Sequence, residues 1–412
     1  MKTDMTDQQK KKIMIVGSTF TNKGAQSMLF VTIDEIRKRI PDADIFFAST
    51  DRGDFSAYNF QYLFCSEDAK SIALNRDKWK VLCSRAARDT VKSLLGRREH
   101  TWKFLDLKHT ISSMDLIIDI SGFNLGKRWP VEIQESYLDN LRLAKMHHIP
   151  IILMPQSFGP FDYPPEKQHL IEEIRDLLPY AQKIYAREKE GYQMLKDTFH
   201  LSNVEMSTDL VLQNTGIELQ HIFKNPPKME VPVIDEGAVG VIPNQQCFRH
   251  GDKETILSLY QRIIEKLQSE GKKAYIFRHS GEDLDACRQI ADRCGGSAVL
   301  LENDFSCLEY DLFVRQFDFL VCSRYHGIVH AYRNSVPCML LGWAVKYQEL
   351  ADLFHQGRYA FDITQGNTAV DKMEAAVAEL SRGFRKESQI ISEKLEQIQK
   401  ENCFKDDFFR DI

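Results

Sequence analysis

From Ile13 onward the chain alternates short, β-branched apolar runs with stretches whose apolar residues recur at helical spacing. Ile13 to Val16 reads as a buried strand, and Met28, Leu29, Ile33, Ile36 and Ile40 then mark one helix face behind a turn holding Asn22 and Gly24. Further strands are expected at Asp44 to Ala48, Asp115 to Ile120, Ile149 to Met154 and Lys183 to Ala186, with helices between most of them. The same alternation resumes at Val239 to Ile242 and continues through Ala274 to Phe277, Ala298 to Leu301, Phe319 to Cys322 and Cys338 to Leu341. Strands separated by helices form parallel sheets, so the pattern predicts an α/β protein with two Rossmann-like domains facing a cleft.

Between the two series, periodicity lapses over a stretch containing Asn225, Pro226, Pro227 and Pro232. We therefore divide the chain into an N-terminal domain over 1–215, a linker over 216–237 and a C-terminal domain over 238–370. Charged amphipathic helices over 371–412 are expected to pack back across the linker.

Composition changes this picture little. The chain has 412 residues, 54 Lys and Arg against 59 Asp and Glu, and a net charge of -5. That balance lacks the basic excess of a general nucleic-acid binder, so an anionic ligand must be met locally. The nine cysteines form no CxxC pair, which suits free thiols in a reducing cytoplasm. No signal peptide or membrane span is expected, because the longest apolar runs are far shorter than the roughly 20 residues a spanning helix needs. One segment departs from the balance: 76–108 carries ten Lys and Arg against four Asp and Glu. It reads as a solvated insertion helix, or alternatively as a peripheral contact with anionic lipid at the inner face of the membrane.

The candidate chemistry sits where predicted strands end. The turn from Gly17 to Gln26 places Asn22, Lys23 and Gly24 at a helix amino end, a setting for an anion or a sugar hydroxyl. It matches neither G-x-G-x-x-G nor a P-loop. Ser121, Gly122 and Asn124 follow one strand and Gln156 another, offering amides and hydroxyls for sugar recognition. Asp119 is acidic inside an apolar strand, where a buried charge needs a partner or a catalytic task. Arg187 stands where a helix begins, a position that favours acidic residues, so it calls for Glu188, Glu190 or an anionic ligand. In the second series Arg278 and His279 end one strand, and Ser323-Arg324-Tyr325-His326-Gly327 ends another, with Lys346 following the next. His330 lies one helical turn beyond His326, yet the surrounding residues do not resemble a zinc site, so no metal is expected.

Taken in order, Asn22-Lys23-Gly24-Ala25, Ser121-Gly122, Pro155-Gln156, Ala186-Arg187-Glu188, Thr208-Asp209 and Ser323-Arg324-Tyr325-His326-Gly327, then Ala331 and Pro337, resemble the polysaccharide pyruvyl transferase family. The resemblance extends from Ile13 to Asp362. It implies a fold similar to B-type glycosyltransferases and transfer of the pyruvyl group of phosphoenolpyruvate onto two sugar hydroxyls as a cyclic ketal, with no further cofactor. His326, Arg187 and Asp119 are then the catalytic candidates, His326 as general acid or phosphate-holding imidazolium. Arg324, Arg278, His279 and Lys346 are the donor-binding candidates, Arg being suited to carboxylate and phosphate. Asn22, Lys23, Gly24, Ser121, Gly122, Asn124 and Gln156 would meet the acceptor, a sugar either lipid-linked or nucleotide-linked. The rival reading is a glycosyltransferase of the same architecture using a nucleotide sugar, with Glu349 or Asp352 near the donor ribose. A third is a non-catalytic protein that binds a sugar polymer.

Overall fold

The computed structural model describes residues 10–76, 83, 105–364 and 369–405. The N-terminal domain is built on a seven-stranded, wholly parallel sheet of β1 (Lys12–Val16), β2 (Asp44–Ser49), β3 (Gln61–Phe64), β4 (Leu116–Asp119), β5 (Ile151–Gln156), β6 (Lys183–Ala186) and β7 (Val204–Met206). Its strand order is β3-β2-β1-β4-β5-β6-β7. The C-terminal domain has six parallel strands: β8 (Val239–Ile242), β9 (Ala274–Phe277), β10 (Ala298–Leu301), β11 (Phe319–Cys322), β12 (Cys338–Gly342) and β13 (Ala360–Asp362), ordered β10-β9-β8-β11-β12-β13. The two-domain α/β architecture expected from periodicity is the one observed. Three short strands, β3, β7 and β13, escaped the pattern, since each lies at or near a sheet edge and carries too few apolar residues to register.

Both sheets reverse direction of strand addition at their centre, between β1 and β4 and between β8 and β11. In an open parallel sheet the loops leaving such a pair diverge and open a crevice at the carboxyl edge. The segments after β1, β4, β8 and β11 are therefore the ones placed to form a site. Alternate residues of each strand enter different cores: Ile13 and Ile15 join a cluster that continues from the first helix, Lys23–Arg39, into the C-terminal domain, whereas Met14 and Val16 pack on the far face. Leu29 and Phe30 thus share one apolar core with Tyr310, Val329 and Tyr332, and the domains are joined by burial as well as by chain.

Within the stretch read as a linker, a one-turn helix spans Leu219–Ile222, and Phe223 pairs with Tyr58 of the first domain. The last helix, Val370–Lys400, is a single element of 31 residues. It begins on the second domain, where Arg262 meets Glu374, and ends on the first, where Asn402 donates to the Gln213 carbonyl at 3.1 Å. All nine cysteines are free thiols, and all but Cys83 are buried. No helix among the described residues is long and apolar enough to cross a membrane. The basic segment over 76–108 lies almost wholly outside the described residues. At its ends Arg76 pairs with Asp139, and Lys108 donates to Asn75 Oδ1 at 2.6 Å.

Candidate functional site

Arg187 leaves the end of β6 with its guanidinium almost fully enclosed, its side chain 3% exposed. Nη1 donates to Asp209 Oδ2 at 2.7 Å, Nη2 to Ser157 Oγ at 2.7 Å and Nε to Glu188 Oε1 at 3.0 Å. Its plane lies over the Tyr325 ring, 4.6 Å from the centroid. Burial opposes the charge, but Tyr325, Glu188 and Asp209 outweigh it and hold the guanidinium protonated. The charge that looked misplaced at a helix start is thus met by Glu188, one of the two partners foreseen, and by Asp209, which was not.

His326 comes from the other domain, in the first turn of the helix Tyr325–Arg333 that follows β11. Its ring lies against Gly24, where a β-carbon would come within 2.2 Å of Cγ. Glycine at position 24 is what lets the first helix of one domain approach the imidazole of the other. Nε2 lies 3.8 Å from Asp209 Oδ2, beyond hydrogen-bond reach, and has no other protein partner among the described residues. Although the side chain keeps 21% of its exposure, desolvation pushes its pKa down to about 3, Asp209 opposing and Arg187, His330 and Lys346 adding to the fall. In the free protein His326 is neutral, because burial penalises its charge and it shares an enclosed space with two cations.

Lys346 opens the helix Val345–Leu353 after β12, its ammonium 5.0 Å from the Tyr325 centroid and 5.9 Å from that of Phe123. Burial first and the Arg187 charge second lower its pKa to about 8. Tyr325 accordingly meets two cations, one from each domain. A shared cavity of about 440 Å³ is lined by Arg187, Asp209, Tyr325 and Lys346, and continues outward to Glu349, Asp352 and the last helix. Three helices opening here, Lys23–Arg39, Tyr325–Arg333 and Val345–Leu353, have no acidic residue in the first turn. Lys23, His326 and Lys346 stand there instead. Helix amino ends already carry partial positive charge, so the Lys346 ammonium stands at an electrostatically disfavoured place, whereas Lys23 is met by Asp304 and His326 is neutral.

Other expected donor residues are engaged away from this cluster. The Arg324 guanidinium is held by Asp283, with Nε to Oδ2 at 2.7 Å, and by Glu282. Arg278 donates to the Asn303 carbonyl at 3.3 Å and pairs with Asp304 at 3.5 Å. His279 is buried between Tyr310 and His330, with centroids at 5.0 and 5.7 Å, and desolvation keeps it neutral rather than cationic.

Several N-terminal candidates also have structural tasks. Asn22 caps the first helix, its Oδ1 accepting from Gly24 and Ala25 N–H at 2.9 and 3.2 Å. Lys23 reaches across the cleft to Asp304 Oδ1 at 2.8 Å. Asp119 is wholly enclosed, accepting from Ser121 N–H at 2.9 Å and Asn140 Nδ2 at 3.0 Å, and burial raises its pKa. It holds the turn after β4, and a role as catalytic base fails for want of access. In the same turn Ser121 Oγ is buried without a protein partner among the described residues, and a β-carbon on Gly17 would meet it at 2.2 Å. Gly122 lies beside Met28 at a φ of +71°, and Asn124 is half-buried beyond it. Gln156 is fully buried, with both amide atoms lacking a protein partner among the described residues.

Sequence reasoning missed Ser157 and Tyr325 as site residues and quoted Asp209 only as part of a motif. Ser157 directly follows Gln156, and Tyr325 lies between Arg324 and His326. Their neighbours signalled the region, but only the fold decides which side chain of each run turns toward Arg187.

A family model described as polysaccharide pyruvyl transferase matches residues 22–344. No curated protein matches the chain in sequence. Among solved structures, a mutant of S. aureus TarM in complex with fondaparinux, α-GlcNAc-glycerol and UDP has a TM-score of 0.55 at 10% identity, covering 98% of each chain. An E. coli structure described as trehalose-6-phosphate bound with UDP-2-fluoro glucose has a TM-score of 0.53 at 12% identity, covering 97% of this chain and 98% of that one. UDP-GlcNAc 2-epimerase from Methanocaldococcus jannaschii has a TM-score of 0.52 at 9% identity, covering 89% and 92%. At such identities the likeness speaks for the fold, that of B-type glycosyltransferases. The family match covers most of the chain, including every residue from Asn22 to Ser323-Arg324-Tyr325-His326-Gly327, and the chain belongs to the polysaccharide pyruvyl transferase family.

Proposed function

We propose that this protein moves the pyruvyl group of phosphoenolpyruvate onto two hydroxyls of one sugar, forming a cyclic ketal and releasing phosphate. The observation that carries the reading is that Arg187 and Lys346 line one cavity with Asp209 and Tyr325, and that His326 stands beside it, 3.8 Å from Asp209, in a chain of this family. Phosphoenolpyruvate is a compact polyanion, and Arg with Lys supplies the fork and the point charge that suit its carboxylate and phosphate.

The reaction requires a proton on the methylene carbon and attack of one hydroxyl at the adjacent carbon. The carbon–oxygen bond to phosphate then breaks, and the second hydroxyl closes the ring. The hydroxyls lose two protons; one ends on the new methyl group and the other leaves with phosphate. In this reading, the donor's charge offsets that of Arg187 and Lys346 and raises the pKa of His326. His326 then takes up a proton only when the donor is bound, and can deliver it. No cofactor beyond the donor substrate enters the scheme, and a cytoplasmic setting agrees with nine free thiols. A lipid-borne acceptor, met at the membrane through the basic segment over 76–108, remains part of this reading.

The glycosyltransferase reading draws on the UDP complexes among the similar folds and on Glu349 lining the cavity. Melting temperature with phosphoenolpyruvate, pyruvate, UDP and GDP separates the two, because a specific ligand stabilises by mass action. A rise with phosphoenolpyruvate alone is expected, and a rise with UDP or GDP alone would overturn the proposal.

A further inference from the structure

Strand β5 does not keep even register with β6. Ile152 pairs with Lys183 and Leu153 with Ile184, but the next pair is Gln156 with Ala186, so Met154 and Pro155 together stand opposite Tyr185. The extra residue is a β-bulge, and it falls at a proline that has no N–H to give to the ladder. Side chains alternate faces along a strand, and the two cores record the phase. Ile151 and Leu153 join the far core with Ile184 and Ala186, whereas Ile152 and Met154 join the core shared with the C-terminal domain, as does Tyr185. Unbroken alternation would put Gln156 with Ile152 and Met154. The bulge reverses the phase: Gln156 comes beside Ala186 on the far face, and Ser157 comes to the face of Tyr185 and Arg187, where its Oγ accepts from Arg187 Nη2 at 2.7 Å.

The far face is apolar except where Gln156 enters it. Tyr137, on the helix Val131–Met146, belongs to that core and is 2% exposed, its hydroxyl without a protein partner among the described residues. Burial raises the Tyr137 pKa, the Asp119 charge adds to the rise and the Gln156 side chain opposes it, so amide and hydroxyl face each other. A buried amide is costly, and an apolar side chain would pack in this core at least as well. An apolar side chain would not specify the register, however, because it is at home on either face of the strand. We infer that Gln156 and Tyr137 are positioning residues: as a buried pair they hold the bulge in phase and so present Ser157 to Arg187. Ser157 also donates to Glu188 Oε1 at 2.9 Å, and its N–H donates to the Gly122 carbonyl at 2.8 Å, so the phase of β5 reaches a second partner of the guanidinium and the turn after β4. Gln156, fully buried, touches no ligand itself. The effect on Arg187 stands by itself, whereas the effect on phosphoenolpyruvate rests on the proposed function.

The test follows the Nε–H resonance of Arg187 by NMR in isotope-labelled protein, assigned by its loss in Arg187→Lys. It compares wild type with Gln156→Met, which keeps the length of the side chain, with Tyr137→Phe, which removes one oxygen and spares the fold, and with the double variant. Leu141→Ala, in the same core, is the control. Each single variant is expected to shift the resonance and to speed its exchange with water about tenfold, with no further change in the double variant, as for two residues acting as one unit. Leu141→Ala should lower the melting temperature and leave the resonance in place. By calorimetric titration, Kd for phosphoenolpyruvate should rise about fivefold to tenfold in both single variants. An unmoved resonance in both single variants, an equal shift in Leu141→Ala, or effects that multiply in the double variant would overturn the inference. A resonance that moves as expected in a protein whose wild type does not bind phosphoenolpyruvate would instead sink the donor reading and leave the positioning role standing.

Discussion

Gly24 and His326, 302 positions apart in the chain, touch across the cleft so closely that a β-carbon on Gly24 would lie 2.2 Å from Cγ of the imidazole and 2.5 Å from Nδ1. Gly24 lies in the first turn of a helix, where alanine is by propensity the better residue by about 1 kcal/mol. The Gly24→Ala variant is therefore expected to form that helix but displace the imidazole. With reacting groups misplaced by about 1 Å, kcat/KM should fall on the order of a hundredfold. Steady-state phosphate release, alongside a melting curve that moves little, would check this; unchanged kcat/KM would remove His326 from the reacting centre.

Arg187 neutralises two buried carboxylates, Glu188 and Asp209, so its removal acts on stability as well as on the donor. Arg187→Ala leaves both carboxylates without their common partner and is expected to cost about 3–5 kcal/mol in denaturant unfolding. Arg187→Lys keeps the charge but loses the three-way fork to Asp209, Ser157 and Glu188. It should retain much of the stability while losing most of the phosphoenolpyruvate-induced melting shift. Equal stability of Arg187→Ala and wild type would mean that the buried pair contributes nothing net.

The lowered pKa of Lys346, about 8, sets a pH dependence with a definite sign. An unfolded chain protonates this lysine below about 10.4, whereas the fold protonates it only below about 8. Across that window the unfolded state binds more protons, so this group's contribution to stability increases as pH rises from 8 to 10. Donor binding runs the other way, since the ammonium must be present to meet the anion. The phosphoenolpyruvate-induced shift in melting temperature should decline between pH 7 and 9.5 in the wild type. Lys346→Arg, whose charge persists, should flatten that decline; a decline identical to wild type would place the titrating group elsewhere.

Ser27 Oγ of the N-terminal domain lies 3.1 Å from His330 Nε2 of the C-terminal domain, and His330 Nδ1 lies 2.6 Å from Asp311 Oδ1. Ser27 and His330 are both buried, so this chain serves as an interdomain clasp rather than a reacting triad. Ser27→Ala strands the imidazole nitrogen without a partner and is expected to cost about 1–3 kcal/mol in chemical denaturation. The melting shift with phosphoenolpyruvate should remain, because no member of the clasp lines the donor cavity. Loss of that shift would show that the clasp sets the donor site as well as the domain contact.

Local periodicity made the central strands of both parallel sheets legible in the sequence, while the edge strands β3, β7 and β13 were not. Ile13–Val16 and Phe319–Cys322 are apolar enough to be read without any tertiary context. The sequence also marked the strand ends where chemistry gathers, since Lys23, Arg187, His326 and Lys346 all stand where a helix start disfavours positive charge. It could not sort cations that serve a ligand from those that serve the fold. Lys23, Arg278 and Arg324 have the same local signature as Arg187 and Lys346, yet Asp304, Asp283 and Glu282 claim the first three. Arg278 and Arg324 find their partners on neighbouring strand loops of their own domain and Lys23 finds its partner across the cleft, so only tertiary packing within and between the domains assigns them. Packing of one domain against the other decided the charge of His326: an imidazole's pKa follows its surroundings, and Gly24, Asp209 and Arg187 join them only when the cleft is assembled.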